Sequence, residues 1–211
     1  EWEDDSSSQK KLAALARQHG VWLLAGSLFL RRRHDHKLVN RGVLFAPDGQ
    51  IIASYDKIHM FDANVGDGQR YCESDSFAAG AKPVIADLGD IQLGMTICYD
   101  LRFPHLYRQL ARDGAHILAV PAAFTAVSGA AHWHVLLRAR AIETGCYVIA
   151  PAQCGTHSDG RQTYGHAMII SPWGEILAEA ENGDGVITAT IDVSKITDAR
   201  RAIPSLNSPA E

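Results

Sequence analysis

The sequence predicts an α/β protein in which a mixed sheet, or a pair of sheets, lies against helices packed outside. Two hairpin signals, Pro47-Asp48-Gly49 and Gly89-Asp90, sit between alternating runs. A strand, helix, strand order runs from Ile91 to Val120. Residues 6–19 and 128–145 repeat apolar positions at helical spacing. Hairpins give antiparallel neighbours and crossovers give parallel ones, so one chain carrying both builds a mixed architecture.

Taken in order, residues 6–19 form an amphipathic helix with Leu12, Leu15, Ala16 and His19 on one face, and Gly20 stops it. A strand at 21–30 leads to strands 38–46 and 50–55 around the first hairpin turn. Residues 56–82 show little periodicity, several glycines and many polar side chains, which marks a long loop of the kind that carries function. The second hairpin pairs 83–88 with 91–97, a helix spans 103–113, and 115–120 is an apolar run of buried-strand type. In the helix 128–145, His132, Val135, Leu136, Ala139 and Ile142 recur at helical spacing. Strand-like runs at 147–153, 165–171, 175–180 and 186–192 complete the chain, with Pro172-Trp173-Gly174 as a turn. No internal repeat, low-complexity tract or linker interrupts it, so one domain over residues 1–211 is expected.

Composition narrows the function classes. Hydrophobic residues make up 46% and charged residues 21%, as in ordinary globular proteins. A net charge of -4 leaves no basic footprint, so no nucleic-acid partner is expected. The longest apolar runs, 21–25 and 117–123, are too short to span a bilayer, so no membrane partner is expected either. Cys72, Cys98, Cys146 and Cys154 lack metal-site spacing and disulfide-scaffold density, and they read as reduced thiols of a cytoplasmic protein. His132 and His134 are two apart, a spacing that points to different faces of a helix. No metal and no cofactor is expected.

Cys98 is the residue richest in chemical meaning. It ends an alternating run just before the helix 103–113, on a strand-to-helix turn that exposes following backbone N–H groups and brings a helix N-terminus near enough to favour thiolate. Lys57, in Tyr55-Asp56-Lys57-Ile58-His59, lies just past a strand end at the mouth of the long loop. Glu73 lies within that loop, in Tyr71-Cys72-Glu73-Ser74. Arg102 follows the nucleophile turn, and Phe124 and Trp133 flank the loop after the 115–120 strand, which makes the three candidate substrate-binding residues. Arg138, Arg140 and Glu143 read as an ion-pair network or solvated face.

With these segments in view, the chain resembles the nitrilase, or carbon–nitrogen hydrolase, superfamily from about Leu12 to Pro204. The resemblance rests on Gly20-Val21-Trp22-Leu23-Leu24-Ala25-Gly26-Ser27, the Lys57 and Cys98 segments, His132 to Glu143, Tyr164-Gly165-His166-Ala167-Met168 and Ser171-Pro172-Trp173-Gly174. Cys72-Glu73-Ser74 and Ala152-Gln153-Cys154-Gly155 are most similar to the deaminated glutathione amidase branch. The resemblance implies a four-layer αββα sandwich, a homodimer and a Glu–Lys–Cys triad. It carries the nucleophile onto Cys98, the lysine onto Lys57 and an auxiliary glutamate onto Glu73. The backbone N–H of Tyr99, with Lys57, would face the oxyanion. The implied reaction is hydrolysis of a small carboxylate-bearing primary amide through a thioester, releasing ammonia. An omega-amidase or N-carbamoyl amide hydrolase is the alternative, and a non-catalytic binding or regulatory member of the fold is another. In the family the triad's glutamate follows a proline upstream of the helix 6–19. This sequence opens Glu1-Trp2-Glu3-Asp4-Asp5, so neither Glu1 nor Glu3 is assigned and the chain is expected to be N-terminally incomplete.

Overall fold

The computed structural model describes residues 1–181 and 183–208. Helix α1 (Ser7–His19) begins where the Ser6 side chain accepts from the Gln9 N–H and ends where Gly20 turns left-handed at φ 61°. Both devices satisfy backbone groups that a helix end leaves unpaired. Ala16 is fully buried and packs with Leu12, Ala13, Ala25, Val43 and Phe45. Leu15, expected on the inner face, points outward instead; the small side chains of Ala13 and Ala16 let the helix lie close on the sheet, which turns Leu15 to its rim.

Strands β1 (Leu23–Arg31), β2 (Leu38–Phe45) and β3 (Ile51–Asp56) form an antiparallel sheet in that order. The expected loop at 56–82 contains a two-residue hairpin, β4 (Asp62–Ala63) with β5 (Tyr71–Cys72), and then a single 3₁₀ turn at Glu73–Asp75. There follow β6 (Val84–Asp87), β7 (Gln92–Met95), α2 (Pro104–Arg112), β8 (Ile117–Ala119), α3 (Ala126–Thr144) and β9 (Tyr147–Ala150). The hairpin β10 (Cys154–Thr156) and β11 (Gln162–Tyr164), strands β12 (Met168–Ile170) and β13 (Ile176–Glu179), and helix α4 (Ser194–Ala202) complete the order. The second sheet runs β13-β12-β9-β8-β7-β6 and is parallel only across β7, β8 and β9, where α2 and α3 make the crossovers.

Strand alternation divides the interior. Val43 and Phe45 face α1, whereas Leu44 joins Tyr55, Met95, Ile97, Ile117 and Tyr147 in a core between the two sheets. Leu118 and Val148 point the other way, into a core with Leu106, Leu110, Trp133 and Leu137 of α2 and α3. On α3 the buried stripe is Trp133, Leu137, Arg140, Ala141 and Thr144. Val135 and Ile142, read as part of a helical stripe, lie on the outer face. The helix is apolar on both sides, so spacing alone did not say which side meets the sheet.

The expected strand at 186–192 is not formed; Val186 is 92% exposed and the segment has no strand assignment. Alternation alone does not make a strand; a ladder partner is also needed. The hairpin β10–β11 and helix α4 had no such clear pattern and went unread. Among the described residues no helix is long and apolar enough to cross a membrane.

Candidate active site

Cys98 follows β7 and opens a five-residue 3₁₀ turn, Cys98–Arg102, that precedes α2. Its backbone is left-handed at φ 50°, a conformation that costs a non-glycine residue about 1–3 kcal/mol and persists only where surroundings impose it. The Cys98 N–H donates to the Pro121 carbonyl at 2.9 Å, beyond the end of β8. Asp100 closes the turn from the other side: its Oδ2 accepts from the Ile97 N–H at 2.9 Å, while its own N–H donates to the Ile97 carbonyl at 3.1 Å. The Tyr99 N–H has no backbone acceptor among the described residues.

Asp100 is fully buried. It also accepts from the Tyr55 hydroxyl at 2.7 Å and from the His59 N–H at 3.0 Å, and the His59 ring Nδ1 lies 2.7 Å from the same carboxylate. One side chain therefore ties the Cys98 turn to β3 and to the segment carrying Lys57. His59 in turn stacks on Phe103, with ring centroids 3.6 Å apart.

Lys57 is buried, and its backbone is clamped on both sides: its N–H donates to Asn40 at 2.9 Å and its carbonyl accepts from Gly80 at 2.8 Å. A Cβ on Gly80 would stand 2.1 Å from the Asp56 carbonyl oxygen, so this close approach needs glycine. The Lys57 ammonium pairs with Glu73 Oε2. The β4–β5 hairpin delivers Glu73 to it, since Asp62 pairs with Cys72 and the Phe61 N–H donates to Glu73 Oε2 at 2.7 Å. The Asn40 amide reaches Glu73 Oε1 at 3.4 Å. Lys57 and Glu73, sixteen residues apart in sequence, thus form one part-buried ion pair, with the Phe61 N–H and the Asn40 amide also donating to Glu73.

The Cys98 thiol feels this pair. Burial is the largest influence and pushes the thiol up, Lys57 and the Ala123 N–H pull it down, and Glu73 and Asp100 push it up again. The expected low-pKa thiolate is therefore not what the folded chain provides. A 3₁₀ turn separates Cys98 from the N-terminus of α2, and burial outweighs the neighbouring cation.

Phe61, Cys98, Tyr99, Arg102, Phe124 and Ser128 are among the residues lining one small pocket. Arg102 is the one cation among them; its guanidinium lies over Phe124 at 5.2 Å and Tyr99 at 5.9 Å, and Nη1 is 3.1 Å from His132 Nδ1. Trp133 stands behind this wall rather than in it. It packs on Phe124 with centroids 4.9 Å apart, and its indole N–H donates to the His166 carbonyl at 2.8 Å. Arg140 donates twice to the Leu101 carbonyl and pairs with Glu143 at 2.7 Å, the internal network its spacing suggested. Glu1 accepts from the Ser6 and Ser7 hydroxyls, which brings it down to about 2, and Glu3 pairs with Arg41 at 2.8 Å.

Asp100, Asn40, His59 and Phe61 were not read from the sequence as part of the site. Asp100 had a local signal, since a carboxylate three residues after a turn's first residue can close on its N–H. The others act through contacts across strands, which carry no local signal.

A cysteine on a strained turn, a part-buried lysine–glutamate pair and a pocket lined by a single cation make up the candidate site. The carbon-nitrogen hydrolase family matches residues 2–201, and the chain belongs to it. It is 49% identical over 204 residues to a deaminated glutathione amidase of Synechocystis sp., covering 95% of this chain and 75% of that one. The Caenorhabditis elegans NitFhit protein superposes with a TM-score of 0.86 at 40% identity, over 95% of this chain and 49% of that chain. An amidase of Nesterenkonia sp., whose structure shows acrylamide added at its active-site cysteine, gives a TM-score of 0.77 at 26% identity over 94% of this chain and 74% of its own. The chain thus spans about half to three quarters of the length of these relatives.

Proposed function

We propose that this chain is the core of a cysteine amidase that hydrolyses small primary amides bearing a carboxylate, with deaminated glutathione as the leading substrate. The observation that carries the reading is Cys98 on a left-handed turn, with the Lys57–Glu73 pair acting on its thiol and Arg102 lining the same pocket. In this reading the Cys98 sulfur attacks the amide carbonyl. The oxyanion is met by the Lys57 ammonium and the Tyr99 N–H. The thiol proton passes to the amide nitrogen, the C–N bond breaks and ammonia leaves a thioester, which water splits to a carboxylic acid and the restored thiol. Glu73 holds Lys57 in place and is the carboxylate positioned to relay protons. Arg102 pairs with the substrate carboxylate, Phe124 forms the pocket wall, and Trp133 supports that wall from behind.

The same reading makes residues 1–211 part of one four-layer αββα domain, supported by the two sheets and the helices packed on their outer faces. It places the protein in the cytosol as a homodimer. Four unpaired thiols support the first. An outward apolar patch supports the second: Val135, Ile142 and Trp173 are 68%, 51% and 56% exposed.

The test is ammonia release by the whole protein that carries this chain, offered deaminated glutathione, an omega-amide of a keto acid and a nitrile. Preference for deaminated glutathione is expected. Preference for the keto-acid amide moves the assignment to an omega-amidase, and preference for the nitrile, or no hydrolysis of any amide, overturns the reading.

A further inference from the structure

Away from Cys98, three side chains from three elements meet on one carboxylate oxygen. Glu179, the last residue of β13, presents Oε1 to His134 Nε2 of α3 at 2.8 Å and to His166 Nδ1, just before β12, at 2.7 Å. All three donor atoms lie within 4.8 Å of one another. Nitrogen and oxygen ligands bind a zinc-like ion at about 2.0–2.2 Å, so donors sharing one ion stand roughly 3–3.5 Å apart. The trio is already close to that spacing.

The site is also held in place. His166 is left-handed at φ 55°, and the buried indole of Trp133 pins its carbonyl at 2.8 Å. Tyr164 stacks on the His166 ring, with centroids 4.3 Å apart and planes 27° from parallel. Each of the three side chains remains about a quarter to a third exposed, so an ion has a path in. The sequence spacing of His132 and His134 gave no shared site on one helix, and the fold instead supplies His134 with partners that lie 32 and 45 residues further along.

We infer that His134, His166 and Glu179 form a binding site for a divalent first-row cation of the zinc type, with water completing the coordination. On binding, His134 Nε2 and His166 Nδ1 turn their lone pairs to the ion and carry their proton on the opposite ring nitrogen. Glu179 exchanges two hydrogen bonds for one metal–oxygen bond. Such an ion would clip the outer face of α3 to the β12–β13 hairpin, independently of whether Cys98 is an amidase nucleophile.

The experiment is zinc titration of the protein against a chromophoric chelator, with thermal unfolding measured in parallel. A Cys98→Ser background removes the thiol of the candidate active site as a competitor. One ion per chain is expected, with affinity lowered at least about tenfold in His134→Ala and in Glu179→Gln, and a zinc-dependent rise in Tm that both variants lose. A cobalt-loaded sample should show d–d bands without a thiolate charge-transfer band. Zinc affinity equal in the parent and both variants, no binding at all, or binding that vanishes with Cys98→Ser would overturn the inference.

Discussion

The Tyr55 hydroxyl, near the end of β3, donates a 2.7 Å hydrogen bond to Asp100, on the turn that presents Cys98. This is a buried bond from a strand of the first sheet to the turn that follows β7 of the second. Burial, with the Asp100 charge, drives the Tyr55 phenol well above its ordinary range, which keeps it a donor. Asp100→Ala strands this hydroxyl and the Ile97 and His59 N–H groups. The expected result is a loss of about 3 kcal/mol or more in urea unfolding, with a fall in turnover larger than the stability loss explains. Wild-type turnover in a folded Asp100→Ala protein would remove Asp100 from its positioning role.

Lys57 and Glu73 allow stability and chemistry to be separated. Lys57→Met leaves Glu73 partly buried and uncompensated, and Glu73→Gln leaves Lys57 so; each is expected to destabilise by about 3 kcal/mol. The double variant should recover most of that stability while kcat stays roughly 10²–10³-fold down. Stopped or steady-state ammonia release beside denaturant melts checks both halves. Unchanged kcat with a raised KM would make Lys57 a binding residue.

Alkaline pH should weaken the fold. Burial raises the Cys98 and Cys146 thiols above their ordinary range, and it raises the Tyr55 and Tyr107 phenols too. Between the unfolded and folded pKa the native state binds more protons, so ∂ΔG/∂pH is negative. The contribution is complete below about pH 9 and is lost as pH rises toward the folded values. Urea midpoints at pH 8 and pH 10 measure it, and Cys146→Val should flatten the slope. Iodoacetamide labelling of Cys98 should accelerate over the same range and slow when Lys57 becomes Met.

Light scattering tests the homodimer. Val135→Asp with Ile142→Asp puts two charges on the exposed patch without touching the buried stripe of α3. A dimer that dissociates in this variant is expected, and a parent protein that is monomeric at all concentrations would remove the assignment.

Most strands were legible because alternation and turn chemistry are local. Pro47-Asp48-Gly49 and Gly89-Asp90 fall at the two hairpin turns, and Cys98 falls on the turn between β7 and α2. What stayed hidden depends on partners distant in sequence. Asp100 reaches back to Tyr55, Glu73 reaches Lys57 through a two-residue hairpin, and His134 meets Glu179 across 45 residues. Residues 186–192 failed in the opposite sense, having the alternation without forming a strand.

The left-handed backbone of Cys98 has a consequence for how such a chain can decay. Glycine occupies that φ without strain, so Cys98→Gly should be more stable than Cys98→Ala by about 1 kcal/mol. Drift at this position is therefore biased: the substitution that destroys the thiol is also the one the backbone favours. A descendant that keeps the fold but carries glycine here would have exchanged the proposed nucleophile for a relaxed turn, and in that reading only selection on the chemistry holds a sulfur in that place.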